Sequence, residues 1–214
     1  MEISPSANIA SNVQRCGGLA GLAAIHAAEV NIAICQRNLP QLTNEAVALA
    51  GVMGDVSLTG SPTHLIRQLE YHPDLSGHAA LQHDITMLVR HFAELTGAES
   101  LRLLLATVNT NMCRRFHTDM NDLRLLCTYT GPGTLLLPEE AANRKALGTG
   151  GDNDNIVRDH EAIIMAGETD VVVLKGALYP KDRTKAAIHR SPTVEETGRT
   201  RLLLRIDTNT FLSL

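Results

Sequence analysis

Apolar residues recur at helical spacing in the first hundred residues of the chain. The clearest repeat contains Leu81, Ile85, Leu88, Phe92 and Leu95. Its period predicts an amphipathic helix that ends at Gly97. Capping residues predict two further helices, one beginning at Thr43 and one at Ser61-Pro62. An alternating stretch at 30–35 predicts one early strand.

The helical period disappears after residue 100, where short apolar runs begin. These runs predict strands at 102–108, 113–117, 123–129, 171–175, 186–189 and 201–206. Turn-forming residues separate them. A helix-rich half followed by six short strands predicts an α+β fold. The expected architecture is an antiparallel double-stranded β-helix, or jelly-roll barrel, with the N-terminal helices packed outside it.

The length of the chain sets its expected organisation. Its 214 residues fit a single domain with a sizeable core. We expect residues 1–100 to form a helix-rich scaffold layer and residues 101–214 to form the jelly-roll core. Substrate specificity is expected to lie in the loops at 148–155 and 180–185 and in the helical half.

Composition excludes several classes of partner. A net charge of -4 and an aromatic content of 3% give no basic surface on which bases could stack, so nucleic acid is not expected. No run reaches the roughly 18 apolar residues of a membrane span. The four cysteines form no Cys-x-x-Cys pair, which indicates free thiols in a reducing compartment. We therefore predict a cytoplasmic protein.

A metal site is the chemistry that the second half indicates most clearly. His117 and Asp119 are two residues apart, so on a strand both side chains leave from one face. His189, at the end of a later strand, is the candidate third ligand. Two imidazoles and one carboxylate suit iron(II) and leave three coordination positions open. The same motif occurs at His72-Pro73-Asp74, but that sequence interrupts helices and has no comparable partner downstream.

The open positions could accept a bidentate keto acid, whose far carboxylate would need a buried cation. Arg201 follows His189 across a turn, and its planar guanidinium can bind a carboxylate through two hydrogen bonds. Arg199 and Lys175 are the alternatives for this role. His117, Asp119 and His189 are thus the candidate metal ligands and catalytic residues, and the three cations are the candidate cofactor-binding residues.

The ordered set His117-x-Asp119, His189 and Arg201 resembles the motif of the Fe(II)/2-oxoglutarate oxygenases, a branch of the double-stranded β-helix (cupin-like) folds. This resemblance covers about residues 101–206 and implies iron(II) and 2-oxoglutarate as cofactors. Most of the chain is also similar to an uncharacterised bacterial family, which implies no activity. The segments that carry this second similarity include Cys113-Arg114-Arg115-Phe116-His117, Gly131-Pro132-Gly133-Thr134 and His189-Arg190-Ser191-Pro192.

Two other functions use the same sequence features differently. A cupin-like zinc protein in metal homeostasis would use the same three ligands without redox chemistry. A metal-free interaction module would instead leave the three side chains far apart. The substrate, a small molecule or a protein, is not indicated by the sequence. Exposed sheet edges make a homodimer possible.

Overall fold

The computed structural model describes residues 12–179 and 185–208. Its strands are β1 (Val13–Cys16), β2 (Ile32–Cys35), β3 (Val56–Gly60), β4 (Leu101–Val108), β5 (Leu123–Thr130), β6 (Leu135–Leu137), β7 (Ile164–Met165), β8 (Val171–Lys175), β9 (Ile188–Arg190) and β10 (Arg201–Thr208). Its α-helices are α1 (Pro40–Ala50), α2 (Pro62–Glu70), α3 (Ala79–Thr96) and α4 (Asn153–Ile156). Short 3₁₀ helices occupy Leu19–His26, Pro73–Leu75, Glu139–Ala141, Arg144–Ala146 and Glu195–Thr197. All but the last residue of the loop at 180–185 lies outside the described residues.

The helices of the first half begin and end at residues suited to those positions. The hydroxyl oxygen of Ser61 accepts a hydrogen bond from the backbone N–H of His64, which caps α2 as predicted. Gly97 adopts a left-handed conformation, with φ of 66°, and ends α3 as predicted. The predicted start of α1 at Thr43 is wrong, because Pro40 occupies the first turn and the helix begins there.

The strands form two sheets. Seven strands make the larger sheet in the order β1-β2-β8-β5-β10-β4-β3, and three make the smaller sheet in the order β7-β6-β9. The predicted closed, fully antiparallel barrel is therefore not what the described residues show. The pair β1–β2 is parallel, since the 3₁₀ helix Leu19–His26 packs beside both strands and returns the chain to run in the same direction.

The predicted strand at 113–117 is also absent. Only one bridge forms in this segment, between His117 and His189. The backbone groups of the segment have different partners: the N–H of Phe116 donates to the side chain of Asn153, and the carbonyl of Cys113 accepts from Ser191. The segment therefore does not form the continuous row of backbone hydrogen bonds that defines a strand.

The larger sheet separates two apolar layers. One face packs against α1, α2 and α3 and forms the main core, to which β10 contributes Leu202, Leu204 and Ile206. The other face packs against the smaller sheet, and Leu203 of β10 points that way. Because side chains alternate along a strand, Arg201, Arg205 and Asp207 leave β10 on the same face as Leu203. The space between the sheets thus receives three charged side chains from one strand.

Within residues 12–179 and 185–208, no helix has the length and apolar character needed to cross a membrane.

Candidate metal centre and anion pocket

His117, Asp119 and His189 meet at one point between the sheets. Ligand atoms of the three residues all lie within 4.8 Å of one another. Nε2 of His189 lies 3.2 Å from Oδ2 of Asp119, and Nε2 of His117 lies 3.7 Å from Oδ1 of the same carboxylate. His189 is buried, whereas His117 and Asp119 are half-buried.

Backbone hydrogen bonds hold the two histidines together. The N–H of each donates to the carbonyl of the other at 3.0 Å, although neither His117 nor Asp119 lies in a strand. The segment before β5 is thus attached to β9 at the site itself. Nδ1 of His117 lies 2.9 Å from the carbonyl oxygen of Arg115. A proton on Nδ1 for this hydrogen bond leaves the lone pair of Nε2 directed to the other two ligands.

The Asp119 carboxylate also contacts Arg124 of β5. Nη1 of Arg124 donates to Oδ2 of Asp119, and its Nε donates to Oδ1 of Asp207 at 2.6 Å. Burial acts to raise the pKa of Asp119, but the hydrogen bond and charge of His189 and the charge of Arg124 outweigh it and lower the pKa to about 2. Asp119 is therefore an ionised ligand at neutral pH.

His117 is suited to binding a cation in its neutral form. Burial, followed by the charge of His189, lowers the pKa of His117 below its ordinary value. An uncharged imidazole is the form that coordinates a metal.

The three donors fit one transition-metal ion. Adjacent ligands at about 2.1 Å from an octahedral ion are about 3 Å apart, so separations of 3.2 Å and 3.7 Å need only small side-chain adjustments. The donor set of two nitrogens and one oxygen matches the facial arrangement that non-haem iron uses. His117, Asp119 and His189 are the residues that would hold the ion.

Arg201 is fully buried on the same inner face, at 0% exposure. Its Nη2 donates to the hydroxyl oxygens of Thr128 at 3.1 Å and of Thr134 at 3.4 Å, while Nε and Nη1 have no hydrogen-bond partner among residues 12–179 and 185–208. Burial lowers the pKa of Arg201 to about 10, still well above neutrality, and no acidic side chain offsets the burial. A buried cation with two unused donors is the arrangement that an anion would complete.

One cavity of about 70 Å³ connects these features. Its lining includes His117, His189, Thr134, Leu203, Arg205 and Met112. Thr134 belongs to this lining and also accepts from Arg201, so the guanidinium lies directly behind the wall of the cavity. Two of the candidate metal ligands, His117 and His189, thus line this cavity, and Arg201 lies behind its wall.

The two alternative cations lie elsewhere. Arg199 is exposed in the turn that precedes β10. Lys175 is buried, but its Nζ donates to the carbonyl of Ala27 at 2.7 Å and lies 4.6 Å from the centre of the Tyr179 ring, on the helix side of the larger sheet. Lys175, expected as an alternative cofactor-binding cation, therefore lies on the face of the sheet away from the three candidate ligands. Of the three candidates, Arg201 is the one that the fold brings to the cavity.

Sequence reasoning missed Arg124, Thr128, Thr134 and Asp207. A signal was available in the strand pattern. Positions 124, 126 and 128 share one face of β5, and two of them are polar although the whole strand is enclosed by neighbours. Polar residues on an enclosed strand face indicate a lined cavity.

Comparison with known proteins identifies a family and a fold. The family model described as "Protein of unknown function (DUF1826)" matches residues 18–207. None of the curated proteins matches the sequence. A dioxygenase for auxin oxidation from rice aligns over 92% of this chain and 82% of its own, with 12% identity and a TM-score of 0.51.

The dioxygenase for auxin oxidation 1 from Arabidopsis thaliana, solved in complex with 2-oxoglutarate, aligns over 92% of this chain and 91% of its own. It is 8% identical, with a TM-score of 0.53. At such identities the likeness shows a shared fold. Both resemblances expected from the sequence, to an uncharacterised family and to the 2-oxoglutarate oxygenase fold, are confirmed at this level.

Proposed function

This chain belongs to the DUF1826 family of proteins of unknown function, and we propose that it is an Fe(II)- and 2-oxoglutarate-dependent oxygenase. His117, Asp119 and His189 would hold iron(II), and Arg201 would bind the distal carboxylate of 2-oxoglutarate. The fold shared with two plant dioxygenases supports this proposal. The identity of the substrate remains open in it.

The observation that carries the proposal is the position of Arg201. A metal triad alone fits many functions. A fully buried arginine without an acidic partner, separated from the triad by one cavity, fits far fewer. An anionic co-substrate that reaches from the metal to Arg201 would neutralise the guanidinium and use its free Nε and Nη1 donors.

The residues between the two ends fit the body of such a co-substrate. Leu126 and Leu203 line the cavity and would contact its methylene groups. The hydroxyl groups of Thr128 and Thr134 hold Arg201 and could donate to the same carboxylate. Bound iron(II) would supply redox chemistry with dioxygen, coupled to oxidation of 2-oxoglutarate to succinate and carbon dioxide.

Two measurements test the proposal. Protein purified without oxygen and loaded with iron(II) should form succinate from 2-oxoglutarate once air is admitted. The same protein loaded with zinc, which cannot turn over, should bind 2-oxoglutarate in calorimetry. Full metal loading with neither succinate nor keto-acid binding would rule the proposal out.

A zinc-binding role without redox chemistry is the second candidate. The observation in its favour is the position of Cys113. This exposed cysteine lines the same cavity as the two histidines and offers a sulfur donor of the kind that zinc accepts. Zinc at one ion per chain in protein made in ordinary medium, with no response to 2-oxoglutarate, would favour this role. A metal-free interaction module receives no support, because the three ligand atoms converge.

A further inference from the structure

Arg205 is a second arginine of β10 that lines the cavity, four residues beyond Arg201 and on the same face of the strand. The proposed binding of 2-oxoglutarate by Arg201 does not use it. Its side chain is 32% exposed, in contrast with the fully buried Arg201. It therefore lies where the cavity approaches solvent, at the end of the site that holds the metal ligands.

The guanidinium of Arg205 has spare capacity. Its one ionic contact joins Nε to Oδ2 of Asp207 at 3.2 Å, and its two Nη atoms have no hydrogen-bond partner among the described residues. Asp207 is already occupied, since it accepts from Nε and Nη2 of Arg124 and from the side chain of Asn121. The terminal nitrogens of Arg205 are thus available for an anion that enters the cavity.

Charge balance indicates how many negative charges the loaded site lacks. Arg124, Arg201 and Arg205 with a divalent metal would carry five positive charges. Asp119, Asp207 and the 2-oxoglutarate dianion would carry four negative charges, and the two histidines would be neutral as metal ligands. One positive charge would therefore remain in a partly dehydrated space, where it is costly unless another anion neutralises it.

We propose that the substrate of this site is a small organic acid with a single negative group, which binds through that group to Arg205. This inference rests on the proposed function. The remainder of the substrate is apolar, because the solvent-facing part of the lining includes Met112, which is 44% exposed and has an adaptable apolar side chain. A single bidentate contact to the acid and an apolar contact to Met112 would orient the molecule beside the metal.

Matched acid and amide pairs test this assignment, because an amide keeps the shape of the acid and removes its charge. The probes are acetate and acetamide, hexanoate and hexanamide, and phenylacetate and phenylacetamide. Their affinities are measured by calorimetry on full-length protein loaded with zinc and 2-oxoglutarate, so that no turnover occurs. We expect at least one apolar acid to bind about tenfold or more tightly than its amide.

Variants assign the preference to Arg205. Arg205→Gln should remove the preference for the acid, and Arg205→Lys should keep part of it. Arg67→Gln changes an exposed arginine of α2 on the opposite face of the larger sheet and should have no effect. The affinity for 2-oxoglutarate should stay within about twofold of the parent in all three variants.

The outcomes separate this inference from the proposed function. Normal 2-oxoglutarate binding with equal affinities for acids and amides, or with no acid bound, overturns the inference alone. A loss of 2-oxoglutarate affinity in Arg205→Gln as large as that in Arg201→Gln assigns Arg205 to the co-substrate and also overturns it. An absence of 2-oxoglutarate binding in the parent protein overturns the proposed function, and the inference falls with it.

Discussion

Arg201 is a buried cation that no carboxylate of the described part of the chain neutralises. Such an arrangement is unfavourable in the ligand-free protein, since the guanidinium loses its hydration and gains only two hydroxyl partners, Thr128 and Thr134. Protein interiors rarely keep an unneutralised charge unless it serves binding or catalysis. An anion that binds to Arg201 would offset this desolvation cost, and the relief of that cost would contribute to the affinity for the anion.

Arg201→Gln should separate these two effects. We expect the affinity for 2-oxoglutarate to fall about 100-fold, because a charge-assisted contact to the carboxylate is lost. The free energy of unfolding of the ligand-free protein should stay unchanged or rise, because a buried charge is removed. Calorimetry and urea denaturation measure the two quantities. Lower stability with unchanged 2-oxoglutarate affinity would instead identify Arg201 as a structural residue.

The metal ligands can be tested against a duplicate of their own motif. His117→Ala should reduce the affinity for a divalent metal by about 100-fold or more, since one of three ligands is lost. His72→Ala removes the histidine of the other His-x-Asp sequence, whose ring nitrogen accepts from the backbone N–H of Asp74. This control should keep its metal. Equal metal content in both variants, measured by mass spectrometry, would show that His117 is not a ligand.

The sequence is informative about two of the candidate metal ligands because they lie close together along the chain. His117 and Asp119 are two residues apart, and His189 follows in the order expected of the resemblance. The reason given for their convergence was nevertheless wrong, since His117 and Asp119 lie outside any strand. Arg124 illustrates the limit: its role depends on contacts with Asp207 in another strand, and one sequence carries no record of that pairing.

At the scale of elements, the neighbouring strands β5 and β10 place charged side chains opposite each other on one face of a largely apolar sheet. Arg124 lies directly opposite Asp207 in the register of these strands, and its other contact is the metal ligand Asp119. Opposite charges at facing positions stabilise a strand pair. Here the pair also holds the orientation of the Asp119 carboxylate. The same cross-strand contact thus serves both the sheet and the candidate metal site.

Arg124→Met should expose this double dependence. Without the guanidinium, the half-buried Asp119 and the buried Asp207 would lose the cation that they share, and we expect the free energy of unfolding of the metal-free protein to fall by about 3 kcal/mol. Adding zinc should restore part of it by neutralising Asp119. Arg124→Lys keeps the charge and should lose less. Urea denaturation with and without metal makes the measurement, and equal losses in both variants would count against a charge effect.

The turn after β5 determines where Arg201 can lie. Gly131 has a φ of 87°, and a Cβ there would meet the carbonyl oxygen of Thr200 and the backbone of Arg201. Glycine at this position therefore permits two things: a left-handed backbone and the close approach of the first residues of β10. Proline follows it and limits the turn further.

Gly131→Ala should accordingly cost more than a left-handed conformation alone. We expect a loss of about 3 kcal/mol in the free energy of unfolding, together with weaker binding of 2-oxoglutarate as Arg201 is displaced. Gly148→Ala is the matched control, because Gly148 has a φ of 74° but no atom near a Cβ. It should lose only about 1 kcal/mol. Equal losses would mean that the turn yields without moving Arg201.

Elements with strong local signals were predicted, and those with weak ones were not. The apolar repeat of α3 and the cap of α2 each depend on residues within a short stretch of the chain. Strands β6 and β7 are three and two residues long, too short for any alternation to be visible. The parallel pairing of β1 depends on the 3₁₀ helix that follows it, which contacts both β1 and β2. Pairing of this kind is set by packing and not by the strand residues.

At the scale of the whole molecule, the larger sheet separates the helical core from the candidate site. Its helix face is a continuous apolar core that contains α1, α2 and α3. Its other face carries Arg124, Arg201 and Arg205, whereas the three candidate metal ligands come from the segment before β5 and from the small sheet. The division into a helix-rich layer at 1–100 and a β core at 101–214 stays a prediction, and the first hundred residues also supply β1, β2 and β3 to the larger sheet. The predicted closed barrel is not found among the described residues, because closure depends on how sheet edges meet in space.

The candidate metal site lies between the small sheet and the segment that precedes β5. His189 belongs to β9, whereas His117 and Asp119 belong to the segment before β5, so one ion would connect the two. Without it, the two segments remain joined by the backbone bridge between His117 and His189 and by the contact of His189 with the Asp119 carboxylate. Local opening at this place requires far less free energy than global unfolding.

Removing the metal should therefore loosen one region and leave the rest intact. We expect hydrogen exchange of residues 113–119 and of β9 to quicken about tenfold or more in protein treated with a chelator. Exchange in α3 and β8 should stay the same, because these elements belong to the core on the helix face. His117→Ala should show the faster exchange with or without metal. Uniformly faster exchange across the chain, or no change at 113–119, would mean that no ion connects this segment to the small sheet.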